Sequence, residues 1–129
     1  MDDRTVGAAL DALYAAYLGG NSEGMLATMA DDVAVRFLGR PPAEGIEEAR
    51  RFFTANNSSL QNLEFRIRAR IIDGEWAAVV WDETATALGR LYENQGVDVF
   101  RVVAGEITVL RVNNDITARR RAFQSDQVD

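Results

Sequence analysis

Hydrophobic residues in the first part of the chain recur at helical spacing. Between Thr5 and Leu18 the apolar side chains fall three or four positions apart, which places them along one face of a helix. Gly19 and Gly20 are predicted to end this helix. Ser22 is a suitable N-cap for a short second helix. The chain is therefore expected to open with two helices.

A strand, a loop and a third helix are predicted next. Residues 33–37 alternate between larger apolar and smaller or polar side chains, as a strand does. Gly39 to Gly45 contains two prolines and is predicted to be a loop. Glutamates at its end favour the positive end of a helix, and the buried side of that helix is expected to consist of Ile46, Ala49, Phe52 and Phe53.

The second half of the chain has the period-two pattern of strands. Residues 63–71 alternate between an apolar side, predicted to face the core, and a polar side with Arg66, Arg68 and Arg70. These arginines are expected to form a solvated or dimer-facing ladder near Asp82. Further strands are predicted over 76–88, 97–103 and 107–114, with turns or bulges at 73–74, 89–90, 94–96 and 104–105.

Helices that precede a run of strands predict an α+β fold, with the helices packed on one face of a curved antiparallel or mixed sheet. We expect a single domain over residues 1–129, with an ordered core of about 5–123 and a polar C-terminal tail. A sheet that curls around a long helix encloses an apolar space. Because small ligands bind in such spaces, we expect any functional site there.

Three residue types that carry much of enzyme chemistry are missing. The 129-residue chain has no Cys and no His, and its 14 basic residues are all arginines. This composition excludes disulfides, thiol nucleophiles, imidazole acids and bases, Schiff-base lysines and the usual zinc sites. Catalysis would have to use carboxylates, Tyr, Trp, Arg or amides, and we expect neither a metal nor another cofactor.

Charge and hydropathy narrow the range of partners. A net charge of -6 and a pI of about 4.7 argue against nucleic acid as a partner. No apolar run approaches the roughly 20 residues of a membrane-spanning helix, so no membrane partner is expected. The acidic start Met1-Asp2-Asp3-Arg4 lacks the basic flank of a secretory signal, which predicts a cytoplasmic location.

Three segments resemble a known family. They are Met29–Val35, the loop Gly39–Gly45 leading into Arg50–Phe53, and Val97–Arg101. Together with the order of elements, they resemble the SnoaL-like and ketosteroid-isomerase-like proteins over about residues 5–116. The resemblance implies a cone-shaped α+β roll with a deep apolar pocket, commonly assembled as a homodimer through the outer sheet face.

The isomerases of this family use three pocket groups, and two of them have counterparts here. Tyr14 resembles the helix-borne tyrosine, and Asp98 resembles the aspartic acid, that together bind the enolate oxygen. The third position, which in the family carries a proton-shuttling aspartate, is Phe37. A phenyl ring cannot carry a proton. Asp98 also lies among apolar neighbours, where a carboxyl group seldom lacks a partner or a purpose.

Glu83 is the best substitute base that the pattern offers. On the predicted strand 76–88 it shares a face with Trp81, and if that face is inward, Glu83 joins Asp98 in the pocket. The remaining candidate ligand-binding residues, taken from the patterns and the resemblance, are Tyr17, Phe37, Trp81, Phe100, Leu110, Val112 and Asn114.

Each of these residues also has a structural interpretation. Tyr14 and Tyr17 can be core tyrosines, and Asp98 can be a surface aspartate paired with an arginine. Trp76 is expected in the core, and Arg119 to Arg121 on a surface turn.

Two functions of different classes remain. The first is acid–base isomerisation or cyclisation of a small, largely apolar cyclic carbonyl or phenolic compound. Tyr14 and Asp98 would bind an oxygen of this compound by hydrogen bonds. The second is a noncatalytic ligand-binding or dimerisation module. An epoxide-hydrolase-like function is disfavoured, because the positions resembling its water-activating set are Thr84, Thr86 and Val112.

Overall fold

The structure of the chain is a computed structural model that describes residues 3–123, and the side chains of residues 5–121. The predicted polar tail lies outside the described residues. The described part forms helices and strands in the order α1 (Asp3–Leu18), α2 (Ser22–Leu26), β1 (Met29–Phe37), β2 (Ala43–Glu44), α3 (Ile46–Ser58), β3 (Leu60–Asp73), β4 (Trp76–Ala87), β5 (Arg90–Val103), β6 (Glu106–Asn114) and α4 (Ile116–Phe123).

The strands form one open, mixed sheet in the order β2-β1-β6-β5-β4-β3. Strands β3 to β6 are antiparallel neighbours, whereas β1 pairs with β6 in parallel. The helices pack on one face of this sheet, and their apolar side chains join those of the strands in a common core. The predicted α+β fold class is confirmed. Among the described residues, no helix has the length and apolar character needed to cross a membrane.

The first helix ends where the two glycines predicted. Gly20 has a φ of 65°, and the amide of Asn21 donates to the carbonyl of Ala16 at 2.8 Å, the 6→1 bond of a Schellman motif. The predicted N-cap of α2 is wrong by one residue. Asn21, not Ser22, precedes the helix, and its side-chain oxygen accepts from the amide of Gly24 at 2.9 Å.

A bulge at Arg68 corrects the predicted alternation of β3. The register slips between Ile67 and Ala69, so that the residues after it change faces. Ile71, expected in the core, is 62% exposed. Arg70 turns instead towards α1, where it pairs with Asp11 at 2.5 Å. Only Arg66 and Arg68 form the expected ladder, both on Asp82, at 2.8 and 2.5 Å.

Strands β4 and β5 pair with each other without a register shift. Every second residue of β4 from Ala77 to Ala87 is buried, which places Trp81 and Glu83 on the inner face as predicted. The same parity places Trp76 on the outer face, where it is 43% exposed, so its prediction as a core residue is wrong. The turn or bulge expected at residues 94–96 is absent from the described chain, because β5 continues through them.

The segment after β6 is a helix rather than the predicted surface turn. Asp115 starts it: its carboxylate accepts from the amide of Ala118 at 3.1 Å, and its carbonyl accepts from that of Arg119 at 3.1 Å. From this start, α4 packs against β5, and Arg119 lines the inner cavity.

Candidate functional site

A cavity of about 50 Å³ lies between α1, α3 and the inner face of the sheet. Nine of the ten predicted site residues line it: Tyr14, Tyr17, Phe37, Trp81, Glu83, Asp98, Leu110, Val112 and Asn114. Phe100 is the exception. It is fully buried behind Tyr14, with the two ring centroids 6.0 Å apart and nearly perpendicular, so it supports the wall without forming it.

Asp98 is buried at the wall of this cavity and is 7% exposed. It lies opposite Val79 in the β4–β5 ladder, whose inner face is in the core. Its Oδ2 accepts a hydrogen bond from the Tyr14 hydroxyl at 2.6 Å, and its Oδ1 accepts one from Trp81 Nε1 at 2.8 Å. Burial raises the pKa of Asp98 to about 7, although both hydrogen bonds act in the opposite direction. The surface ion pair considered for Asp98 is therefore wrong.

Tyr14 is positioned by aromatic packing on the buried side of α1. Its ring stacks on Phe65 with centroids 5.2 Å apart and an interplanar angle of 22°. Burial raises the pKa of Tyr14, and the neighbouring Asp98 carboxylate raises it further. Tyr14 therefore keeps its proton and acts as a hydrogen-bond donor.

Trp81 reaches Asp98 because the neighbouring strand carries a glycine. Gly96 lies opposite Trp81 in the β4–β5 ladder, and a Cβ at this position would lie 2.9 Å from Trp81 Cζ2. Any side chain would displace the indole ring. The glycine thus lets the ring lie against β5 with its N–H directed at the carboxylate.

Glu83 forms a second buried carboxyl group in the same cavity. It is 5% exposed, and its two oxygens accept from the hydroxyls of Tyr17 at 2.6 Å and Tyr92 at 3.1 Å. Burial raises the pKa of Glu83, while the two hydrogen bonds lower it. The charge of Glu83 also raises the pKa of Asp98, so the two carboxyl groups influence each other.

The position that resembles the family's proton shuttle is apolar. Phe37 is buried and packs on Phe52, with ring centroids 4.2 Å apart. Asn114, a predicted ligand-binding residue, lines the cavity as well. Among the described side chains, Asn114 Oδ1 is the buried polar atom without a hydrogen-bond partner. It is an acceptor available to a ligand donor.

Sequence analysis missed several polar residues of the site. Asn94 donates to the Tyr92 hydroxyl at 2.7 Å, and its Oδ1 accepts from the amide of Asp115 at 3.0 Å, which ties the start of α4 to β5. The turn predicted at 94–96 concealed the inward position of Asn94 on β5. Arg119 and Asn56 also line the cavity. The capping pattern that begins at Asp115 was the signal that could have predicted α4 and the inward position of Arg119.

Fold and site together define a class of protein: an open α+β roll that encloses a small cavity with apolar walls and two buried carboxyl groups. The model of the SnoaL-like domain matches residues 10–110, and the chain belongs to that family. The resemblance found in the sequence is thus confirmed. No curated protein matches the chain.

Solved structures agree with this assignment at the level of the fold. An NTF2-like protein from Burkholderia pseudomallei K96243 has a TM-score of 0.85 at 20% identity, covering 97% of this chain and 100% of that one. A proposed SnoaL-like polyketide cyclase from Jannaschia sp. CCS1 has a TM-score of 0.81 at 18% identity, with 96% and 94% covered.

A third structure comes from another reaction class. An epoxide hydrolase from M. tuberculosis of the LEH-like type has a TM-score of 0.78 at 17% identity, with 93% of this chain and 90% of that chain covered. The fold of this chain is thus related to those of isomerases, cyclases and epoxide hydrolases. Thr84 and Thr86 lie on the outer sheet face, opposite in parity to Glu83, and only Val112 of the compared positions lines the cavity.

Proposed function

We propose that the chain binds a small, largely apolar cyclic carbonyl or phenolic compound and moves a proton on it as an isomerase or cyclase. The observation that carries this proposal is the pair of buried carboxyl groups, Asp98 and Glu83, on the wall of one cavity. With a pKa of about 7, Asp98 exchanges its proton near neutral pH, where an acid–base catalyst is most effective.

The oxygen of the ligand would be bound at the Tyr14 end of the cavity. While Asp98 is ionised, the Tyr14 hydroxyl donates a hydrogen bond to Asp98. Once Asp98 is protonated, it can donate to the Tyr14 oxygen, which frees the Tyr14 proton for a ligand oxygen. Trp81 keeps the carboxyl group in place through the other oxygen. Negative charge that develops on the ligand oxygen is then stabilised by donors in a site of low polarity.

Glu83 would act on the carbon side of the reaction. It takes a proton from a carbon next to the carbonyl group and returns it to another carbon, so that no proton is gained or lost over the cycle. This is the task that Phe37 cannot perform. A positioned general base contributes on the order of 10²–10⁴-fold to such a step.

The size of the cavity limits the ligand. A volume of about 50 Å³ is well below the roughly 150 Å³ of a cavity that binds benzene. Side chains at the mouth therefore have to move before a ring can enter. A small monocyclic compound fits this site better than a steroid-sized one.

The test uses a Trp76→Phe background, in which Trp81 is the remaining fluorophore. Quenching of Trp81 reports the binding of para-ethylphenol, and ultraviolet absorbance reports the conversion of a β,γ-unsaturated cyclohexenone to its conjugated isomer. We expect Asp98→Asn and Tyr14→Phe to weaken binding, and Glu83→Gln to lower turnover with little change in binding. Binding that none of the three variants changes would contradict the proposal.

The noncatalytic binding module remains the second candidate. It is favoured by the saturation of the site, since all four oxygens of Asp98 and Glu83 already accept hydrogen bonds from side chains. Phenol binding that depends on Asp98, without isomerisation by the wild-type protein above the buffer rate, would support it.

A further inference from the structure

A groove lies outside the cavity, between the loop after β1, helix α3 and helix α4. Its volume is about 470 Å³, and its lining includes Arg40, Arg51 and Arg119. Among the described residues that line it, Glu48 is the one carboxylate, and its Oε1 accepts from the amide of Glu44 at 3.0 Å. On a chain with a net charge of -6, the groove is thus a region of positive charge.

Two side chains separate this groove from the cavity. Asn56 and Arg119 line both spaces, and Arg119 Nη2 donates to Asn56 Oδ1 at 2.8 Å. Arg119 also hydrogen-bonds the Tyr92 hydroxyl, which in turn donates to Glu83. Both spaces thus share Asn56 and Arg119 in their linings, and a rotation of the long Arg119 side chain would remove a contact that lies between them.

Two guanidinium groups of the groove lie on an aromatic pair. Arg119 lies over Phe37, and Arg40 over Phe52, at 5.4 and 4.9 Å from the ring centroids. The Phe37 and Phe52 centroids are 4.2 Å apart, and both arginines line the same groove. Burial lowers the pKa of Arg119, and the charge of Arg40 lowers it further. An anion between them would relieve both effects.

We propose that this groove binds a carboxylate of the substrate through Arg119 and Arg40, so that the substrate is a ring with an acidic side chain. This inference rests on the proposed function, because the ring is the part that occupies the cavity. The flat guanidinium of Arg119 can bind a carboxylate with two parallel hydrogen bonds. In doing so it leaves Asn56, and the small cavity opens into the groove.

Two matched probes test the subsite by Trp81 fluorescence in the Trp76→Phe background. They are para-ethylphenol and para-hydroxyphenylpropanoate, which share a phenol and differ in the carboxylate. We expect the carboxylate to bind on the order of 10-fold more tightly at low salt. Arg119→Gln should reduce this preference to about 1, while Arg120→Gln, with the same charge change on an exposed part of α4, should keep it.

Arg40→Gln provides a second variant if Arg119→Gln does not fold, because Arg40 is exposed in a loop. It should reduce the preference several-fold. Equal binding of the two probes by the wild-type protein would overturn the subsite, as would an equal loss of preference in Arg120→Gln.

The two proposals can fail separately. If para-ethylphenol binds through Asp98 but the carboxylate gives no advantage, the proposed function stands and the subsite is wrong. If the carboxylate binds through Arg119 and the Asp98→Asn variant binds both probes like the wild type, the subsite stands. The proposed hydrogen bonding of the ligand oxygen by Tyr14 and Asp98 is then wrong. If neither probe binds, both are overturned.

Discussion

At the scale of single residues, Asp98 determines what the cavity can do. Its carboxylate is buried in an apolar wall, yet it has two donors, Tyr14 and Trp81. Burial disfavours the charged form, and the donors favour it. Because these opposing effects leave the pKa of Asp98 near 7, its carboxyl group can serve as a hydrogen-bond donor or as an acceptor near neutral pH.

The first prediction concerns the pH dependence of stability. The pKa of Asp98 is about 7 in the folded chain and about 4 in the unfolded chain, so only the folded state holds this proton between those values. The free energy of unfolding should therefore fall by up to about 4 kcal/mol as the pH rises from about 4 to about 7. Glu83 adds to the same slope, because its pKa is also raised.

The Asp98→Asn variant should lose the larger part of this slope and should gain stability relative to wild type above neutral pH. Urea unfolding at a series of pH values measures both effects. A wild-type stability that increases with pH across this range would show that Asp98 is not a buried acid of raised pKa.

A second prediction separates the two carboxyl groups. Tyr14→Phe removes a hydrogen bond that lowers the pKa of Asp98, so that pKa should rise above about 7. Tyr17→Phe removes the equivalent bond to Glu83 and leaves both bonds to Asp98 in place. Carbon NMR of labelled carboxyl groups should then show each titration move in its own variant. Identical shifts in both variants would contradict this assignment.

At the scale of the elements, the β4–β5 ladder aligns the site. Trp81 and Glu83 on β4 face the cavity together with Asp98 on β5, and the regular alternation of β4 allowed this to be predicted. The alternation of β3 did not hold, because the bulge at Arg68 shifted the residues beyond it to the other face. A bulge depends on the neighbouring strand, which the sequence of β3 does not contain.

The third prediction tests the contact between these strands. In Gly96→Ala the new methyl group would lie 2.3 Å from the carbonyl oxygen of Asn113 and 2.9 Å from Trp81, so the backbone and the indole have to shift. We expect a loss of about 1–3 kcal/mol in stability and a changed Trp81 emission spectrum. Gly19→Ala, whose Cβ would have an ordinary distance of 3.5 Å to its nearest neighbour, is the control. Similar losses in both variants would rule out a special requirement at Gly96.

At the scale of the whole molecule, no helix packs on the outer sheet face among the described residues 3–123. Val80 and Val97 lie opposite each other on this face, next to Val99, and are partly exposed. Arg68 and Asp82 place both signs of charge beside them. We propose that a second copy of the chain covers this face, because a twofold interface pairs a patch with itself and suits mixed charges.

The fourth prediction follows from this proposal. Sedimentation should give the mass of a dimer for the wild-type chain and of a monomer for Val99→Arg, which would place two uncompensated charges in the interface. Leu18→Arg, at the exposed end of α1, should remain dimeric. A wild-type monomer, or a dimer that Val99→Arg leaves unchanged, would refute the proposed interface.

The sequence by itself determined the type and order of most elements, because periodicity reports which face of an element is buried. Its resemblance to the family then indicated which of the buried residues line the cavity, and nine of those ten do. Tertiary structure alone decided the turn of Arg70 towards α1, the position of Arg119 across the mouth and the small volume of the cavity. It also decided that Tyr14 donates to Asp98, 84 positions away. These features depend on contacts between distant parts of the chain. Local sequence patterns carry no information about the distance or direction of such contacts.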